Sequence, residues 1–162
     1  MSENPYYRAS SILKINKRFI YRKTHVRLPM IHKYIFSWFG LLIIAMINGA
    51  FRDLAYKPFL GELLSHQVSV GIGISLFGLF IWYLSNRWPL SSSNQAWAIG
   101  FIWLSMTVAF EFLFFHYARG VPWSVLLHDY NILEGRVWVL VLVWVTIAPW
   151  LIWRWNTRRK DS

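Results

Sequence analysis

Four uninterrupted apolar blocks, at about 34–51, 68–84, 96–116 and 137–153, constrain what this chain of 162 residues can become. Each is close to the ~20 residues that a helix needs to cross the hydrocarbon of a bilayer. A soluble core helix would alternate polar and apolar faces with a period of about 3.6 residues. Phe39–Ile47 and Val137–Trp144 are instead apolar all round. Hydrophobic residues make up 56% of the chain and charged ones 15%, against roughly 25% charged in soluble domains. A backbone in lipid must satisfy its own N–H and C=O groups, which a helix does within one segment. The expectation is an all-α polytopic membrane protein, a four-transmembrane-helix bundle.

Charge supplies the orientation. The formal net charge is +10. Twelve of the seventeen basic residues fall at the two ends: Arg8, Lys14, Lys17, Arg18, Arg22, Lys23, Arg27 and Lys33, then Arg154, Arg158, Arg159 and Lys160. Lys and Arg beside spans mark the cytoplasmic side, and an even number of spans returns the chain to the side it left. Both termini are therefore expected in the cytoplasm of a bacterial inner (plasma) membrane. Residues 1–33 read as a basic cytoplasmic or interfacial arm, 34–153 as the transmembrane domain and 154–162 as a basic tail. In the arm, Ile12, Leu13, Ile15, Phe19 and Ile20 cluster on one helical arc, with most of Lys14, Lys17, Arg18 and Arg22 elsewhere. That fits an amphipathic helix on anionic inner-leaflet headgroups; a disordered positive anchor is the alternative. This placement of the charge argues against a nucleic-acid partner. The start does not read as a cleavable signal peptide, because the first apolar run begins too late. There is no cysteine, so disulfides and thiolate chemistry are excluded in this chain.

Some features point to packing alone. Gly71, Ser75 and Gly78 form a small-residue stripe at i, i+4 and i+7, the pattern that lets membrane helices approach closely; the partner could be another span or another copy. Most tryptophans, Trp38 and Trp138 among them, fall near the ends of the blocks, where interfacial belts place them. Trp103 and Trp144 lie deeper and read as packing residues.

Chemistry gathers on one face. Of the seven acids, Asp53, Glu62, Glu111, Asp129 and Glu134 fall in the outer loops or the outer half of the third span. His66, His116 and His128 join them, with Arg52, Lys57, Arg119 and Arg136. Glu111 is the only carboxylate within an apolar block. At ~1.5 Å rise per residue it lies roughly 9 Å inside the end of its span, where a bare carboxylate stays protonated or finds a cation. Arg136 opens the fourth span and Arg52 closes the first, and Asn48 precedes Arg52 by one helical turn. These four residues, Asn48, Arg52, Glu111 and Arg136, form the principal candidate cluster. An intramembrane ionisable residue is functional by default, yet a buried Glu–Arg pair could equally lock helix register.

A secondary polar cluster comprises Asp53, Glu62, His66, His116, Arg119, His128, Asp129, Tyr130 and Asn131. Glu62 and His66, four apart, are weak candidates for a divalent metal such as zinc; no His-Glu-x-x-His pattern accompanies them, and polar side chains at headgroup level explain them as well. No cofactor is expected. A Ser-His-Asp triad has no nucleophile elbow to support it. Asp129 or Asn131 could cap the fourth helix and Glu134 could complement its dipole, which leaves Arg136 unexplained.

At these residues the chain resembles a family of small bacterial and archaeal four-span membrane proteins with no assigned activity. The matching features are Asn48-Gly49 with Arg52, Phe110-Glu111-Phe112, Leu126-Leu127 followed by Tyr130-Asn131, Gly135 and Trp138, and Pro149. They span about Ser37 to Leu151. Family members often carry Glu where this chain has Asp53, so the charge is kept. The resemblance implies a four-span fold with a shared polar cluster and brings no substrate. Three function classes remain: small-solute, ion or proton binding or permeation as an oligomer; an accessory or assembly subunit of a larger membrane complex; and a small membrane enzyme acting on a lipid or quinone.

Overall fold

The computed structural model describes residues 28–128 and 130–161. Residues 1–27, which hold the proposed amphipathic stretch of the arm, Asp129 and Ser162 lie outside the described residues; the last six residues assigned to the arm, 28–33, belong instead to the first helix. What is described is helical, without strands. Helix α1 (Leu28–Phe51) runs into a π-helical turn, Arg52–Tyr56, and on into α2 (Lys57–Arg87). Helix α3 (Ser93–Leu113) ends in a second π-helical turn, Phe114–Ala118; the short α4 (Trp123–His128) and a 3-10 turn (Ile132–Glu134) lead to α5 (Trp138–Asp161). Three helical runs, Met30–Arg87, Ser93–Ala118 and Trp138–Arg159, are long and apolar enough to cross a membrane.

The first of these runs is not straight. Tyr34 Oη donates to the Trp88 carbonyl at 2.8 Å, and Asn48 Nδ2 donates to the Ser69 carbonyl at 2.9 Å and to Ser69 Oγ at 3.0 Å. Contacts between residues 54 and 21 positions apart require two antiparallel legs. The chain turns around between them over 52–61, where the π turn is followed by Pro58 and by Gly61 at φ 75, ψ 176. That backbone region is open essentially to glycine alone and costs other residues about 1–3 kcal/mol. A Cβ at Gly61 would meet nothing within 4 Å, so the strain is purely conformational. Gly61→Val is expected to destabilise the protein by about 1–3 kcal/mol, read as a lower thermal midpoint in detergent; an unchanged midpoint would show that the turn does not depend on this conformation.

Packing among the legs is set by small residues meeting large ones. A Cβ on Gly78 would stand 3.1 Å from the Trp144 ring, and one on Gly73 3.3 Å from Asn48 Nδ2. Gly71 and Ser75, the rest of the stripe, are exposed, so the stripe meets α5 only at Gly78. The closest approach involves Gly100, where a Cβ would lie 2.0 Å from the Thr146 carbonyl oxygen. Here α3 and α5 touch backbone to backbone, the most extensive helix pair of the fold. Around this contact Trp103, Tyr34, Ile81, Ile99, Val145 and Pro149 are fully buried. Trp103 Nε1 donates to the Tyr34 carbonyl at 2.7 Å, as a buried indole requires. Trp38, expected in a belt, is also core: 6% exposed, with its Nε1 donating to Thr107 Oγ1 at 3.0 Å.

The start of α3 is capped by Ser92, whose Oγ accepts from the Gln95 amide. Helix boundaries overshoot the apolar blocks: α5 continues to Asp161 and α2 begins at Lys57. Lys33 sits over the Trp88 ring at 5.2 Å, and Asn156 lies 3.4 Å from Asn86. The start of α1, the end of α2, the start of α3 and the end of α5 therefore share one end of the molecule.

Candidate functional site

At the opposite end the legs part around a cavity of about 620 Å³. Its size lies within the roughly 300–1,000 Å³ of ligand pockets. Helix α1 contributes Asn48, its π turn Arg52 and Asp53, α2 Glu62, His66 and Ser69, and α3 Glu111. The segment after α3 adds Arg119, α4 His128, the approach to α5 Arg136, and α5 its first residue, Trp138. Asn48, Arg52, Glu111 and Arg136, which are 88 positions apart at the extremes, thus share one cavity wall. Of the secondary cluster, Asp53, Glu62, His66, Arg119 and His128 line it too, whereas His116, Tyr130 and Asn131 do not.

Contacts within the cavity tie these residues to several elements. Glu111 Oε2 accepts from Tyr130 Oη at 2.6 Å and from Trp138 Nε1 at 3.0 Å. Arg52 Nε pairs with the adjacent Asp53 carboxylate at 2.9 Å. Arg136 reaches Glu62 at 3.9 Å, and Lys57 reaches the same carboxylate at 3.2 Å. Asn48, expected to orient Arg52, spends its amide on Ser69 and ties α1 to α2. In the connection between the first two legs, the hydrogen bond from Arg52 holds the Asp53 carboxyl below its ordinary pKa. Lys57 does the same for Glu62 through its hydrogen bond.

The residues outside the cavity support it. His116 accepts or donates at Nδ1 with the Val121 carbonyl, 3.0 Å away, and stacks on Trp123 at 4.0 Å between ring centroids. Phe112 stacks on both Trp123 and Tyr130, each at 5.7 Å, and so steadies the phenol that meets Glu111. Asn131 Nδ2 donates to Glu134 Oε1 at 2.7 Å rather than capping the following helix. Glu134 also meets His128. Gly135 then takes a left-handed φ of 77 and presents its carbonyl to Gln67 Nε2 at 3.2 Å. This fastens the approach to α5 onto α2.

Sequence reasoning missed Trp138 as a donor to Glu111 and Ser69 as the partner of Asn48. Both follow a readable rule, since a buried indole N–H or amide needs an acceptor in reach. No three His, Asp or Glu side chains among the described residues gather where they could hold a metal ion; Glu62 and His66 share the cavity without forming such a group. No family model, no curated protein and no solved structure matches this chain, so the resemblance stands on its motifs alone.

Proposed function

We propose that the chain crosses a bacterial inner membrane four times and binds a small solute, ion or proton in the cavity at its outer half. The two legs of the first helical run supply two crossings, and α3 and α5 one each. The basic residues near the ends of α1 and α5 lie at the opposite end from the cavity, which favours cytoplasmic termini under the positive-inside preference. One observation carries the functional reading. Glu111 stands half-buried on the cavity wall, oriented by a phenol and an indole, with four cationic side chains on the same lining. A carboxylate kept at that depth is costly, and simple helix docking does not require a cavity beside it.

Binding needs one copy of the chain. Permeation needs more, because Trp103, Tyr34, Ile81 and Ile99 fill the space between the legs toward the other end. Flux of ions, protons or small solutes into liposomes holding the pure protein tests the reading. Glu111→Gln is expected to lower flux or solute binding at least tenfold while the protein still folds. Wild-type protein that neither binds nor conducts any of them, or a Glu111→Gln variant that matches it, would sink the proposal. One feature favours a second reading. Beneath the charged mouth the cavity wall is mostly apolar, with Asn48, Ser69 and Thr107 set among aliphatic side chains, which suits a ligand drawn from the bilayer, as an enzyme acting on a lipid or quinone would require.

A further inference from the structure

The cavity's walls differ along the molecule's long axis. Near the mouth stand Arg52, Lys57, Arg119 and Arg136; deeper lie Leu41, Ala45, Val70, Phe77, Val141 and Val145, with Asn48, Ser69 and Thr107 among them. A small polar solute would have little use for the deeper part. A molecule with a charged head and an apolar chain would use both.

The walls also differ around the circumference. Between α1 and α3 the hydrogen bonds and ring contacts reach as far as Trp38 and Phe110: Trp103 to Tyr34, Trp38 to Thr107, and the Trp38 and Phe110 rings at 5.8 Å. Farther toward the mouth, α1 and the end of α3 carry mostly apolar side chains. There the lining includes Met46, which is 64% exposed, Gly49 and the exposed Ala50. Residues that are at once outward-facing and on the cavity wall mark an opening. In a bilayer this opening faces acyl chains, not water.

Charge selects the head. Four cations line the cavity against the carboxylates Asp53, Glu62 and Glu111. Asp53 is engaged by Arg52, and Glu62 by Lys57 and Arg136. Arg119 has no carboxylate partner among the described residues, and its guanidinium can take a carboxylate or phosphate through two parallel hydrogen bonds.

We infer that the cavity receives a single-chain anionic amphiphile from the outer leaflet, entering sideways between α1 and α3. Its chain lies along the apolar wall and its head group rests against Arg119 and the neighbouring cations. The inference rests on the cavity being a ligand site and adds the class of ligand and its route.

Gly49 provides the decisive variant. A Cβ there meets nothing within 4 Å, so Gly49→Leu fills the opening without disturbing the packing. The full-length protein, stripped of lipid in mild detergent, is titrated with palmitate, hexadecanol and butyrate and read by intact-complex mass spectrometry. The expected result is one palmitate per chain, bound at least tenfold more weakly by Gly49→Leu and by Arg119→Gln, both with unchanged thermal midpoints. Hexadecanol is expected to bind at least tenfold more weakly than palmitate. Equal binding of hexadecanol, or palmitate binding indifferent to Gly49→Leu, overturns the inference. Butyrate binding without palmitate binding overturns it too while leaving the small-solute reading intact. Absence of binding by all three, together with absence of solute flux, removes both.

Discussion

Gly100→Leu should leave little folded protein. Overpacking a core by a few methylenes costs about 1–3 kcal/mol when side chains can shift aside. Here the obstacle is the Thr146 backbone carbonyl, 2.0 Å from where a Cβ would stand. A carbonyl inside a helix cannot rotate away without giving up its hydrogen bond, so α3 and α5 must separate. Separation would unpack the buried Trp103, Ile99, Val145 and Ala148 together. The expected loss exceeds the upper end of that ~1–3 kcal/mol range, seen as aggregation on size exclusion or a collapse of the thermal midpoint. Gly71→Leu is the control, because a Cβ there meets nothing within 4 Å; it should behave as the parent. If Gly100→Leu elutes and melts like the parent, the α3–α5 contact is looser than described.

Glu111→Leu and Glu111→Gln should part company. Leucine removes the acceptor for both Tyr130 Oη and Trp138 Nε1. An orphaned buried donor costs about 1–3 kcal/mol; both donors here are part-buried, so the variant is expected to lose about the lower end of that range for each donor that finds no new acceptor. Glutamine keeps a carbonyl oxygen for the two donors and removes only the charge, so stability should hold while ligand binding falls. Adding Tyr130→Phe to Glu111→Leu should recover part of the loss, since it deletes one stranded donor. Thermal midpoints of the three variants test this together. A Glu111→Leu variant as stable as the parent would show that the Tyr130 and Trp138 contacts contribute no net stability.

The helical class and the location of the long apolar helices were legible because lipid-length blocks leave few alternatives. Helix ends were less so: α5 runs past Trp153 through a charged segment, because backbone hydrogen bonding inside a helix does not require apolar side chains. Nine residues of the two candidate clusters line one cavity; their common distance to the span ends placed them on one face in the sequence, while the cavity itself left no mark there. The contact between Arg52 and Asp53 was not marked. Arg52 lies beside Asp53 in sequence, and a neighbour one position away competes well against a carboxylate on another helix. Nor was Gly100 marked, since a lone glycine in an apolar block carries no pattern; only the facing backbone gives it meaning. Trp38 illustrates the same limit, for a position near a block's end looks interfacial until Thr107 on another helix accepts its indole N–H.

The two π-helical turns, Arg52–Tyr56 and Phe114–Ala118, both close a long helix at the mouth of the cavity. A π turn accommodates one residue more than the α turn it replaces. Each residue in a helix advances the side-chain direction by about 100°, given 3.6 residues per turn. Loss or gain of one residue in the second turn, which non-helical chain follows, would therefore re-aim Arg119 by that angle and leave Asn48, Gly100 and the buried tryptophans where they are. The rim and the core are thereby decoupled: a change of one residue alters which charge faces the cavity without touching the helix contacts beneath it.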